Sequence, residues 1–162
     1  MVAGLDEREP PLAVSVVESS VEVDAPPEEV WAVTSDPRNL AFWDPRIRRV
    51  HVGAGDLEPG ATFEAEVGYR GIHTTIPCEV IEWEPPWRSR VHLGGVLDAT
   101  VTTSIAALPF DRSVLRHEVA YRFRGPLGGV VAVGVQAIGG AEHALRRGTL
   151  AQKRAVERRS AR

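Results

Sequence analysis

From Ile47 to Arg124 the sequence is a succession of short strand-like stretches, and after Gly125 it reads as one long helix. Ile47–Val52 is followed by the turn signals Gly53-Ala54-Gly55-Asp56 and Glu58-Pro59-Gly60. The next stretch alternates strictly, with Phe63, Ala65, Val67 and Tyr69 on one face and Glu64 and Glu66 on the other, the period of a half-buried strand. Gly71 breaks the chain before a strand over about Ile72–Trp83, and Glu84-Pro85-Pro86 makes a rigid turn. Arg88–Leu93, the Gly94-Gly95 hairpin turn and Leu97–Leu108 follow. After Pro109–Arg112 the last strand, about Val114–Arg124, puts Leu115, His117, Val119, Tyr121 and Phe123 on one side. Ala13–Val23 supplies one more strand, at the start. Such a meander cannot bury its apolar face by itself. The helix predicted over about Leu127–Arg158 is the only element large enough to cover it. The expectation is an α+β fold: a seven-stranded antiparallel sheet curved around a long C-terminal helix.

The link between the first two strands sharpens this. Val21-Glu22-Val23-Asp24 ends a strand, and Pro26-Pro27 pre-sets a first helical turn. Glu28 and Glu29 then sit where the helix dipole favours negative charge. Val30, Trp31 and Val33 or Thr34 give that helix a buried side. Asp36-Pro37 starts a second helix, with Asp36 as N-cap, and Phe42-Trp43-Asp44 closes the run. Two short helices therefore follow strand one.

A strand, then Ala25-Pro26-Pro27-Glu28-Glu29-Val30-Trp31, Asp36-Pro37 and a tryptophan shortly after resemble the opening of the START-like (SRPBCC) superfamily, nearest its polyketide cyclase/dehydrase and lipid-transport branch. The resemblance covers roughly residues 15 to 158. It implies a helix-grip fold, in which the sheet wraps the terminal helix and leaves a cavity between them. It also implies that Trp43 lies near the cavity rim; the alternative is a plain core tryptophan.

The terminal helix is rich in small residues. Gly129, Gly134, Gly139, Gly140 and Gly148 lie in it or at its start, among Ala132, Ala137, Ala141 and Ala144. Each interior glycine costs about 0.8–1 kcal/mol relative to alanine. Either the glycines allow close backbone packing, or they belong to a loop before the helix, or they leave room for an apolar ligand. Leu127, Val131, Val135, Ile138, Glu142 and Leu145 share one stripe at helical spacing, and Leu150 falls outside it, beside His143. By parity the ligand-binding candidates are Phe63, Val67 and Tyr69; Ile76, Cys78 and Val80; and Leu115, His117, Val119 and Tyr121. Val131, Val135 and Ile138 are the helix candidates, with Trp43 at the rim.

The sequence offers little chemistry. His51, His73, His92, His117 and His143 form no metal-ligand motif, and a single cysteine, Cys78, leaves no zinc site of ordinary spacing and no intrachain disulfide. No metal and no cofactor are expected. Ser104 and Ser113 lie in no Gly-x-Ser-x-Gly elbow. Gly125-Pro126-Leu127-Gly128-Gly129 lacks the pattern of a phosphate loop and reads as a helix start. One acid/base set stands out: His117 and Tyr121 on one face, with Tyr69 across the cavity. Polyketide aromatase/cyclases of the resembled superfamily need a base and carbonyl-polarising donors for aldol closure. The alternative is a buried, satisfied histidine and core tyrosine rings.

Residues 1–12 read as a flexible tail and 13–162 as one START-like domain. A net charge of −3 argues against a nucleic-acid binder. Arg146, Arg147, Lys153, Arg154, Arg158, Arg159 and Arg162 make the end basic, as on a solvated helix face. No signal peptide is legible at the start, and the lone cysteine fits the cytoplasm. The apolar run Val130–Ile138 is too short to span a bilayer, so no integral membrane association is expected. The Arg, Ala, Gly and Val content suggests a bacterial gene. The sequence is compatible with a homodimer and does not set the oligomeric state. Three functions stay open: binding of a hydrophobic polyketide, lipid or isoprenoid-like molecule; a polyketide aromatase/cyclase using the same cavity; and a protein-interaction module. Binding is preferred, because no convincing catalytic constellation is present.

Overall fold

The computed structural model of the chain describes residues 14–69, 71–95, 97–124 and 140–162. The elements are β1 (Ser15–Val23), α1 (Pro27–Thr34), a 3₁₀ turn (Pro37–Asn39), α2 (Leu40–Trp43), β2 (Ile47–Val52), β3 (Thr62–Tyr69), β4 (Ile72–Glu84), β5 (Arg88–Leu93), β6 (Leu97–Leu108), β7 (Arg112–Phe123) and α3 (Gly140–Ser160). The seven strands form one antiparallel sheet in the order β1-β7-β6-β5-β4-β3-β2. Sequence and structure agree on the sheet, the tandem short helices and the closing helix.

The link after β1 has to carry the chain from one edge of the sheet to the other, because β1 and β2 are the two edge strands. Pro27 opens α1, whose first turn carries Glu28 and Glu29. The Asp36 carboxylate accepts the Arg38 backbone N–H at 3.0 Å, the cap read from the sequence. Register shifts at Arg48 in β2 and Ile81 in β4 mark irregularities that bend a sheet. At Ile81 the extra residue also reverses parity beyond it, so Trp83 turns toward the core although Ile81, of the same parity, is exposed.

The core has two parts. One gathers Val23, Val30, Val33, Trp43, Ile105, Leu115 and Val156. The other gathers Phe63, Ala65, Cys78 and Val80. Leu40 packs against both. Trp31, half-buried rather than core, meets Trp83 edge-on at 4.9 Å between ring centroids and joins the two parts. Such a pair contributes about 0.5–1.5 kcal/mol beyond its burial.

Helix α3 lies on β1, β7, α1 and α2. Its end is pinned where β1 meets α1. Lys153 Nζ donates to the Glu22 carbonyl at 2.7 Å, the Asp24 N–H donates to Glu157 Oε1 at 3.1 Å, and Ser160 bonds Glu29. The buried stripe continues from Leu145 through Thr149, Gln152 and Val156, while Glu142 and Leu150 are exposed. Glu142 therefore leaves the expected stripe, and two polar residues carry it on. A Cβ built at Gly148 would meet nothing within 4 Å, so close packing does not explain that glycine. The start of the helix near Leu127, with Gly129, Gly134 and Gly139, lies outside the described residues, as does the tail 1–12.

Candidate functional site: the concave face of the sheet

Antiparallel register stacks the inward side chains into rows running across the strands. Val21, Leu115 and Ile105 form one row; Ser19, His117, Thr103 and Ser89 the next. Then come Val17, Val119, Val101, Val91 and Val80, and finally Ser15, Tyr121, Ala99, Leu93, Cys78 and Phe63. Burial falls along β7 in that order. Leu115 is 0% exposed and His117 5%, whereas Val119 and Tyr121 are half-buried although they point the same way. Val101, Val91 and Leu93 beside them are half-buried too. Burial of the concave face thus falls along β7 and at Val91, Leu93 and Val101, while Val80, Ala99, Cys78 and Phe63 in the same rows stay buried, and α3 lies toward the β1–β7 side.

A polar row lies between Leu115 and Val119. His117 Nε2–H donates to Gln152 Oε1 at 2.5 Å, since a carboxamide oxygen can only accept. That fixes the tautomer, and Nδ1 accepts from the Thr103 hydroxyl at 3.0 Å. Burial lowers the His117 pKa against the opposing effect of the Gln152 bond, so the ring is neutral. Its proton affinity in the fold is below the ordinary 6.5. Above that pH neither state is protonated and the ring contributes no pH dependence. Below it, the unfolded chain takes up a proton that the folded one declines. Stability should fall by up to about 1.4 kcal/mol per pH unit below 6.5 until the folded ring itself titrates. Urea unfolding at pH 7, 6 and 5 tests this: the wild type should lose midpoint over that range, and His117→Asn should show a flatter profile. An identical slope in the variant would contradict it.

Of the expected site residues, those among the described residues have definite places. Phe63, Cys78, Val80, Leu115 and His117 are buried on the concave side, and Val67, Ile76, Val119 and Tyr121 are half-buried. Burial pushes the Cys78 thiol up to about 11, which leaves it protonated and unreactive at neutral pH. Trp43 is 8% exposed in the first core cluster, and it also lines a surface hollow with Phe42. Next to it, burial works to raise the Asp44 carboxyl, but two-pronged bonding from Arg46 prevails and holds it below its ordinary value. Tyr121 packs edge-on against Phe123 at 5.7 Å and makes no hydrogen bond to His117 among the described residues. The Tyr69 side chain, Val131, Val135 and Ile138 lie outside the described residues. Thr103, Gln152 and Ser89 escaped sequence reasoning. Thr103 and Ser89 left a signal, since their parity matches that of Ile105 in β6 and of Val91 and Leu93 in β5. Among the described residues no cluster of metal-ligating side chains occurs, and no helix is long and apolar enough to cross a membrane.

A curved antiparallel sheet gripping its C-terminal helix, with an apolar concave face, defines a START-like helix-grip protein. The chain belongs to the polyketide cyclase/dehydrase and lipid transport family, whose model matches residues 15–157. Solved structures agree on the fold. The Zhui aromatase/cyclase from a Streptomyces species is 18% identical with a TM-score of 0.73, over 91% of this chain and 96% of that one. A START superfamily protein from Mycobacterium smegmatis is 18% identical with a TM-score of 0.67, over 88% and 97%. A norcoclaurine synthase from Thalictrum is 15% identical with a TM-score of 0.63, over 92% and 98%. At such identities the likeness concerns the fold. No curated protein sequence matches the chain.

Proposed function

We propose that the protein binds a hydrophobic small molecule, of polyketide, lipid or isoprenoid type, against the half-buried part of its concave sheet around Val119 and Val101. The observation that carries this is the fall in burial along one inward face, from Leu115 through His117 to Val119 and Tyr121. Inward valines left half-covered are apolar surface that a ligand would remove from water, at about 25 cal/mol per Å² before ordering costs. The polar row of Ser89, Thr103, His117 and Gln152 forms the inner end of that wall. Tyr69, Val131, Val135 and Ile138 would complete the wall from β3 and the segment before α3.

A second reading, aldol cyclisation in the same space, is favoured by one observation: a buried imidazole, donating from Nε2 and accepting at Nδ1, ends the apolar wall. His117 would be the base, with Tyr121 and Tyr69 as donors. The bond from Thr103 would first have to open, because Nδ1, the ring nitrogen with the basic lone pair, accepts it. That requirement makes binding the better supported reading.

Native mass spectrometry tests the choice. Protein incubated with a mixture of fatty acids, isoprenoid alcohols and aromatic polyketides should show a 1:1 adduct with one class, lost on denaturation. His117→Ala should keep the adduct. Absence of any adduct across the classes contradicts binding. A variant that keeps the adduct but loses conversion of a poly-β-ketone surrogate would shift the assignment to a cyclase.

A further inference from the structure

The outward face of α3 carries charge that the fold does not use. Arg147, Arg154 and Arg158 are spaced seven and four residues apart, which places them on one line of the helix about 16 Å long. Arg146 flanks them, and all four are exposed and form no ion pair among the described residues. Of the nearby carboxylates, exposed Glu142 stands one turn before Arg146 without an ion pair among the described residues, and the other two are engaged elsewhere. Glu157 is held by Lys153 and the Asp24 N–H, and Asp44, near enough to feel Arg147, is bound by Arg46.

Apolar side chains stand beside this line. Leu150 lies on the same face, 37% exposed, and Phe42 projects from α2 with 81% of its surface exposed. Between Phe42 and the helix is a surface hollow of about 220 Å³, walled by Arg154 and Arg158 and floored by Trp43, Ala151 and Ala155. A phosphate with an apolar neighbourhood is what such a hollow accepts: two guanidinium groups one helical turn apart, next to aromatic carbon. A single small anion would use only those two arginines. The row extends well beyond them, and its rim projects a bare phenylalanine, so an extended anionic surface with an apolar interior beneath it accounts for more of what is there. The chain as a whole is at −3, so attraction to such a surface would require this one orientation.

We infer that the outer face of α3 together with Phe42 docks on an anionic phospholipid bilayer, phosphates meeting the arginine row and Phe42 entering the headgroup region. This surface lies on the opposite side of α3 from the concave face, and the inference does not depend on what that face holds.

Flotation with vesicles of phosphatidylcholine alone and with 30 mol % phosphatidylglycerol is the test. The full chain should float with the anionic vesicles in 50 mM salt, stay behind with the neutral ones, and dissociate as salt rises. Each arginine neutralised should weaken partition about fivefold, so Arg154→Gln with Arg158→Gln should lose about 25-fold. The pair Arg146→Gln with Arg147→Gln, remote from the hollow, should lose a comparable amount. Phe42→Ser should weaken binding while leaving its salt dependence intact. Circular dichroism should be unchanged in every variant. No flotation with anionic vesicles at low salt overturns the inference, as does flotation of both arginine variants like the wild type. Two further outcomes would also replace it. Displacement by millimolar glycerol 3-phosphate with no loss in the Arg146/Arg147 variant would assign the hollow to a soluble phosphate. Tight binding of polyglutamate without vesicle binding would assign the face to an acidic protein.

Discussion

Replacing Leu115 by alanine is expected to lower the unfolding free energy by about 2–5 kcal/mol, the range for emptying a buried leucine site that can only partly collapse. Leu115 is 0% exposed, sits between Val21 and Ile105 in its row, and faces the core where Val156 of α3 is also fully buried. It anchors the end of the concave face where burial along β7 is greatest. In a chain of this size each kcal/mol moves Tm by about 2–4 °C. Leu150→Ala, on the solvent side of the same helix, should stay within about 0.5 kcal/mol of the wild type. Chemical unfolding of the pair measures the contrast. Comparable losses in both variants would mean that α3 packs by a different face.

The second large effect concerns the polar row. Gln152→Leu should cost about 1–3 kcal/mol, because it leaves the His117 Nε2–H buried without an acceptor. The volume is nearly kept, so little of the loss would come from a cavity. The triple variant Thr103→Val, His117→Leu, Gln152→Leu removes every member of the network at once. It should recover most of the stability lost in the single variant, since no polar group then stays unpaired. Additive losses in the triple variant would show that the three side chains do not act as a unit. The same set of proteins bears on function: a row kept for a ligand's polar end should lower ligand affinity in the triple variant even where stability returns.

The strands were legible because period-two alternation and Gly/Pro punctuation are local signals. Arg88–Leu93 and Leu97–Leu108 coincide with their expected limits. Inward parity also held for Phe63, Cys78, Val80, Leu115 and His117, since no bulge interrupts β3 or β7 and the one in β4 comes after Val80. Beyond it, Trp83 faces the core although it shares the parity of exposed Ile81, which a local pattern cannot foresee. Helix α3 was harder. A hydrophobic stripe that continues through Thr149 and Gln152 is invisible to hydropathy, because those residues are buried by what they bond rather than by what they are made of. The Thr103–His117–Gln152 chain spans 14 and 35 residues of sequence from His117, and only the sheet register and the helix position bring it together. Membership of the polyketide cyclase/dehydrase and lipid transport family was readable from the Ala25–Trp31 and Asp36-Pro37 run, which builds the link between the edge strands. The ligand was not readable, because a wall of valines specifies apolarity and little else.

The central claim is that the inward face around Val119 receives an apolar ligand. Fluorescence titration with the uncharged hydrophobe N-phenyl-1-naphthylamine, on the wild type and on Val119→Trp, tests it most directly. The wild type should bind saturably at 1:1, and the indole, filling the space beside Val101 and Val17, should weaken that binding at least tenfold with Tm maintained. Absence of saturable binding in the wild type, or equal affinity in the filled variant, would contradict the account.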